Sequence, residues 1–555
     1  MNVTDIDSGN LIPAPIKELP VTGVPITGLR RYASLPSRKS AERDLSVFIN
    51  ECMRSDRIYG CVIKAWWGEG KTEAYENFIK PEVKRLGQDT YDVTATTIAR
   101  IFERNQKEGK ADPVVWRAFL SALFEALWEE GKIKPKGNIP LKRQPHESDR
   151  EYIERILQLV CKNNKTFIFI DEVEQLEPRE SKDEILLGIR GLFDQKEETL
   201  RGNIHLIMAC TPDAFNRLVS SSTQMGGLIE RLKIIDLPRP TDEEAIRFIY
   251  GLVDYIYDGK LPDTHPFLNS GSAYAIMNAS HKSPRGMIKI LQQVIAYSRM
   301  LADQNGHSGY MYRIDGNIIV HALRNYNIGL FGTQVPALDN EPFERILKVT
   351  RVERDSKKTK KIQNLLTILI GEPIPHSIGE LCSRIKIPER FLKDIVSIIN
   401  NRVMESDLFD RWLILPLIEV RSERKPLSET LKKFLLSFLF YDRNGSLSRR
   451  NFIPMRYQAI MSISPRISMI EAQKIERKLL TYSSGTIYYL LSPRFLQHLY
   501  PNPDFLELSF IRDKNKRLEL WKEAYERIHE KDSPILIEDS LLDLLKKIAR
   551  VGSYS

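Results

Sequence analysis

Two short stretches carry the residues whose types and spacing could do chemistry. The first, Ala65-Trp66-Trp67-Gly68-Glu69-Gly70-Lys71-Thr72, follows the apolar run Cys61 to Ala65 and precedes a segment that can be helical. Glycines at this spacing let the backbone wrap closely, so that successive N–H groups point inward and the next helix presents its positive end to an anion. The pattern is that of a phosphate-binding loop, with Ala65 in place of the usual first glycine. In it Gly68, Glu69, Gly70, Lys71, Thr72 and Glu73 are the predicted nucleotide contacts. Lys71 would reach the β- and γ-phosphates and the Thr72 hydroxyl would bind Mg²⁺. The second stretch, Phe167-Ile168-Phe169-Ile170-Asp171-Glu172, is an apolar run of buried-strand type ending in two acids. Asp171 at the carboxyl end of such a strand can hold Mg²⁺ through water, and Glu172 can orient and deprotonate an attacking water. Either motif alone also fits a core strand leading into a polar helix cap. The ordered pair makes ATP and Mg²⁺ the predicted cofactors.

The elements that must position these residues follow from periodicity. From about Ser37 to Pro240, short β-branched or aromatic runs alternate with amphipathic helical runs, the signature of a parallel sheet covered by helices. The predicted strands are Gly60 to Trp66, Tyr91 to Thr97, Thr166 to Asp171, Ile204 to Thr211 and Lys233 to Leu237. From Thr241 to Asn325 the periodicity is helical, as in Glu244 to Tyr257 and Pro284 to Asp303, which predicts a separate all-α domain. Thr211-Pro212-Asp213 places a hydroxyl or carboxylate at a strand end near the γ-phosphate position. Ser283-Pro284-Arg285-Gly286 opens a helix with an arginine in its first turn.

On these residues the chain resembles an AAA+ ATPase, and more narrowly the origin-recognition and origin-licensing ATPases, over roughly residues 28 to 325. The resemblance implies an α/β AAA+ core followed by an all-α lid. It places the sensor-1 role on Thr211 and the sensor-2 role on Arg285. The trans-acting arginine finger falls on Arg231, with Arg217 competing, which would make a second copy or another AAA+ subunit a partner. Leu35-Pro36-Ser37-Arg38 resembles the family's adenine-side segment, so Pro36 and Arg38 join the predicted nucleotide contacts. Thr211 stands where many relatives have asparagine, which predicts slow turnover.

At 555 residues the chain is too long for one core. Its 42% hydrophobic and 28% charged residues and mean hydropathy of −0.31 exclude bulk disorder. No stretch has the apolar length of a membrane helix and no secretory leader opens the sequence, so a cytoplasmic protein with no membrane partner is expected. The five cysteines are scattered singly and read as buried thiols rather than a zinc or redox site. A net charge of +9 makes a polyanion partner plausible without deciding it.

The domain reading is an irregular arm over 1–27, the core over 28–240, the lid over 241–330 and a basic linker over 331–361. Behind them come a winged helix-turn-helix over 362–425, a second module of that kind over 426–500 and a helical region over 501–555. In the first winged module Ile362 to Ile370, Ile378 to Ile385 and Pro388 to Asn400 read as helices, and Trp412 to Pro416 as a strand. The third helix would present Arg390 and Lys393, with Lys386 before it, to DNA phosphates. In the terminal region Trp521 and Tyr525 read as core positions of a helix rather than as bases' stacking partners. The expected function is an ATP-dependent DNA-binding ATPase, a nucleotide switch in DNA transactions. The competing reading is a signalling or defence-type regulatory NTPase whose winged modules contact protein.

Overall fold

Three strands whose side chains are buried along nearly their whole length form the middle of a parallel sheet in the computed structural model. They are β1 (Gly60–Lys64), β3 (Thr166–Asp171) and β4 (Ile204–Cys210), with β2 (Asp89–Thr94) and β5 (Leu232–Asp236), both partly exposed, at the edges. Residues described by the structure are 10–19, 35–66, 68–133, 143–144, 147–160, 164–176, 179–195, 203–221, 227–325, 340–352, 355–404, 413–420, 428–441, 446–464, 466–479 and 485–492. Among them, 35–240 form one compact unit, and 10–19 with 241–492 form another.

In the first unit the strand order is β2-β3-β4-β1-β5, all parallel. Such a sheet must be covered on both faces, and the alternation along each strand does so. Phe167, Phe169, Ile207, Ala209, Cys61 and Ile63 face one helical layer, which includes α1 (Lys39–Arg54). Ile168, Ile170, Leu206, Met208 and Val62 face the other. A helical run follows β1: α2 (Lys71–Ala74), a π-turn (Tyr75–Ile79) and α3 (Lys80–Arg85). On the second face lie α4 (Ala95–Lys107), α5 (Val115–Glu129), α6 (Asp149–Val160), α7 (Lys182–Phe193) and α8 (Pro212–Ser221). The strand predicted over Tyr91 to Thr97 stops at Thr94, whose hydroxyl accepts the Thr97 N–H and caps α4.

In the second unit the lid comprises α9 (Asp242–Ile256), α10 (Gly271–Ser280), α11 (Pro284–Gln304) and α12 (Gly316–Asn325). A capping box of Thr241 and Glu244 starts α9, and the Ser283 hydroxyl caps α11. Part of the expected irregular arm is ordered: Leu11–Pro13 pairs antiparallel with β6 (Tyr310–Tyr312). The proline terminates that strand, a position where its missing N–H is tolerated. The described residues of the expected basic linker are mostly helical. After α13 (Asn340–Val349), α14 (Ser356–Gly371) takes up Lys357, Lys358, Lys360 and Lys361 in its first turns, because Asp355 caps it.

The carboxyl-terminal module departs most from the sequence reading. β7 (His376–Ser377), α15 (Ile378–Ile385), α16 (Glu389–Met404) and β8 (Ile414–Glu419) follow α14. Then come β9 (Leu436–Tyr441), β10 (Leu447–Pro454), α17 (Tyr457–Ile463), α18 (Met469–Leu479) and β11 (Ile487–Leu491). One antiparallel sheet of order β9-β10-β8-β11-β7 joins them. Among the described residues β11 pairs with β8 and β7, so strands on either side of 420–486 share one sheet, while Ile418, Leu431, Phe434, Ile453, Ile460 and Ile475 form a hydrophobic cluster of their own. The Trp412 position, much of 331–339 and all of 501–555, with Trp521 and Tyr525, lie outside the described residues.

Candidate nucleotide-phosphate site

The sheet brings the two chemical stretches together at the carboxyl ends of its strands, where ligands of open α/β sheets bind. β4 lies between β1 and β3, so Thr211 at its end stands between the loop and the Asp171-Glu172 pair. The loop continues the sheet for one step, the Ala65 N–H donating to the Cys210 carbonyl at 3.1 Å. It then turns through Gly68 and Gly70, both with left-handed φ, of 73° and 86°. The φ of Gly70 would strain any side chain there, and the nearest atom such a side chain would meet is the Arg38 guanidinium at 2.9 Å.

Lys71 is buried and folded back, its Nζ donating to the Ala65 carbonyl at 3.0 Å. The Thr72 hydroxyl donates to Asp171 Oδ2 at 2.7 Å. Asp171 Oδ1 accepts the Glu172 N–H at 2.9 Å, and Glu172 itself has a left-handed backbone, φ 57°. Thr211 is buried, and its carbonyl and hydroxyl start α8 by accepting from Phe215 and Ala214. Glu73 sits in the first turn of α2, where its carboxylate accepts from Asn77. Pro36 and Arg38 form a 3₁₀ turn ahead of α1, with Arg38 buried against the loop.

The donor set fits the predicted groups. Two hard oxygens, on Thr72 and Asp171, already lie within hydrogen-bonding distance and could share Mg²⁺, which prefers oxygen ligands. The N–H groups around Gly68 and Gly70, the start of the 71–85 helical run and Lys71 supply what a polyphosphate needs.

Other predicted residues lie elsewhere. Arg231 precedes β5 at the surface and pairs with Asp194 at 2.8 Å. Arg285 occupies the first turn of α11, in the other compact unit. The Arg217 and Asp213 side chains and Trp67 lie outside the described residues. Lys386 caps α15 in a left-handed conformation, φ 56°, and is exposed. Arg390 and Lys393 are exposed on α16, where Lys393 pairs with Glu389 at 2.7 Å.

Two site residues escaped the sequence reading. Glu174, buried one turn after Asp171, has its carboxylate 3.9 Å from the Lys71 ammonium. Burial raises its pKa and Lys71 opposes the rise. The signal was present in the third acid of Asp171-Glu172-Val173-Glu174. Arg239, in Leu237-Pro238-Arg239-Pro240 after β5, bonds Glu69 of the loop at 2.7 Å. Only its place just past a strand's carboxyl end could have flagged it.

Strand order, loop and two acids lie together in the first unit, and a mainly helical lid follows β5, with the β6 ribbon where an all-α lid was expected. The core is a five-stranded parallel α/β sheet with a glycine loop and two acids at the carboxyl ends of its strands. No family model and no curated protein matches the chain. Among solved structures it is similar to Cdc6p from Pyrobaculum aerophilum, at 12% identity over 83% of this chain and 97% of that one, with a TM-score of 0.41. It is also similar to the Aeropyrum pernix ORC1 protein in complex with DNA, at 14% identity over 78% and 93%, TM-score 0.34. A Thermotoga maritima RuvB mutant, at 14% identity over 74% and 98%, gives 0.32. Scores at this level assign neither ligand nor partner to this chain. No described helix is long and apolar enough to cross a membrane.

Proposed function

We propose that the chain is an ATP-binding and ATP-hydrolysing AAA+ switch that acts on DNA. The observation that carries the nucleotide part is the 2.7 Å bond from Thr72 to Asp171, which unites loop and acid strand in the arrangement a magnesium-nucleotide site requires. The loop amides and Lys71 hold the phosphates. Thr72 and Asp171 would hold Mg²⁺, whose charge offsets that of the phosphate oxygens. Glu172 orients a water and takes its proton, and Thr211 supplies a hydroxyl from between the two. Arg285 would act as the lid arginine and Arg231 as the finger offered to a neighbouring subunit.

The DNA part rests on the helix-turn-helix formed by α15 and α16, with Lys386, Arg390 and Lys393 as phosphate contacts. The second reading, a regulatory NTPase whose winged module contacts protein, draws support from the Glu389–Lys393 pair, which dilutes the positive face. Calorimetric titration with MgATP tests the nucleotide site. Wild type should bind, and Lys71→Ala should lose at least about tenfold in affinity, because it removes a charge-assisted contact to phosphate. Equal binding by the two proteins would remove the loop from the account.

A further inference from the structure

A loop that binds anions holds an acid. Glu69 lies between Gly68 and Gly70 and is 1% exposed. Its Oε1 accepts from Arg239 Nε at 2.7 Å, whereas Oε2 is buried with no hydrogen-bond partner. The Arg239 guanidinium in turn lies over the Trp66 ring, 4.6 Å from its centroid. The cation is thus held from two sides by the loop itself, through the carboxylate before Gly70 and the aromatic face before Gly68. Burial pushes the Glu69 carboxyl up, and Arg239, then Arg38, oppose that rise.

A buried carboxylate in this position repels each phosphate that the neighbouring amides attract, and at low effective dielectric the repulsion is large. Paired with a guanidinium it presents no net charge. We infer that Arg239 is a positioning residue of the phosphate site, cancelling the Glu69 charge so that the loop can accept a nucleoside triphosphate. This rests on the nucleotide reading above and extends it to the control of affinity. Arg239 is flanked by Pro238 and Pro240, and Pro240 is the last residue of its compact unit.

The test is MgATP affinity of the full chain for wild type, Arg239→Gln, Arg239→Lys and the double variant Glu69→Gln/Arg239→Gln. Glutamine keeps a stem over Trp66 but carries no charge. Arg239→Gln should bind at least about tenfold more weakly, since a like charge is uncovered beside the phosphates. Arg239→Lys, which keeps the charge but loses the flat guanidinium over Trp66, should fall between wild type and Arg239→Gln. The double variant should recover to within about threefold of wild type, because the repelling charge is gone. A double variant as weak as Arg239→Gln would make Arg239 a packing residue and overturn the inference, as would wild-type affinity in Arg239→Gln. Failure of the wild type itself to bind MgATP is a different result: it removes the nucleotide reading before any variant is compared.

Discussion

Glu172 carries a left-handed backbone at φ 57°, a conformation costing a non-glycine residue on the order of 1–3 kcal/mol. Its N–H is held by the Asp171 carboxylate, which in turn accepts from Thr72, so one acid fixes both the loop and the direction of the next residue. The residue assigned the water-activating role is therefore the strained one, and strain of this kind persists where surrounding contacts over-determine it. Glu172→Gln should bind MgATP like wild type yet turn over at least about a hundredfold more slowly, the loss typical of a removed general base. Phosphate release under saturating MgATP measures this, and near-wild-type turnover would assign the base elsewhere. At this scale local spacing in the sequence was enough to group Lys71, Thr72, Asp171 and Glu172, which the fold brings together. Glu174 and Arg239 were not legible in this way, because their partners are brought by the fold.

Among elements, the junction between lid and winged module is built around one buried carboxylate. Glu372, at the end of α14, accepts two bonds of 2.6 Å from Arg384 of α15, and others from the Gly316 N–H and Asn269 of the lid. Gly371 and Gly316 touch backbone to backbone, where any side chain on Gly371 would collide with the Gly316 carbonyl at 2.2 Å. Both ring nitrogens of His376 face acceptors at 2.9 Å, the Glu380 carboxylate and the Glu372 carbonyl, an arrangement that favours the protonated ring. Burial, the largest single influence, raises the Glu372 pKa, but the charge and hydrogen bonds of Arg384 together with His376 and Asn269 outweigh it and bring it from 4.5 down to about 2. Burial lowers that of His376, and Glu380 more than reverses this, leaving it raised.

The signs follow. A depressed carboxyl stabilises above its unfolded value and loses that contribution as pH falls, here from about 4.5 toward about 2. A raised imidazole stabilises below its unfolded value and loses that contribution as pH rises through the folded one. Glu372→Ala should cost about 3–5 kcal/mol at pH 6, since it strands Arg384, and the gap to wild type should narrow toward pH 2. His376→Ala should instead differ least from wild type at high pH. Denaturant unfolding from pH 3 to 9 checks both, and pH-independent gaps would show that these charges do not hold the junction. None of this was readable from periodicity. The sequence pattern located α14, α15 and α16, but β11 returns to β8 and β7 across residues 420–486. Pairing at that separation leaves no local trace, which is why one sheet looked like two modules. Leu11–Pro13 was missed for the same reason: three residues among prolines form a strand only because β6 offers an edge.

For the whole molecule, the proposed function requires that ATP turnover in the first compact unit respond to DNA bound by the second. The sequence marked the first unit well, since a parallel sheet buried on both faces writes itself as apolar runs ending in polar residues, as in Phe167 to Glu172. It marked the second poorly, since short helices and ribbon strands share one composition. The most direct measurement is the rate of ATP hydrolysis with and without duplex DNA, for wild type and for Arg390→Ala/Lys393→Ala. The account predicts that wild type hydrolyses ATP and that DNA changes its rate by at least about threefold. In the double variant about two phosphate contacts are lost, so half-maximal response should need more DNA and depend less steeply on salt. A wild-type rate that duplex DNA leaves unchanged at low salt would contradict the claim.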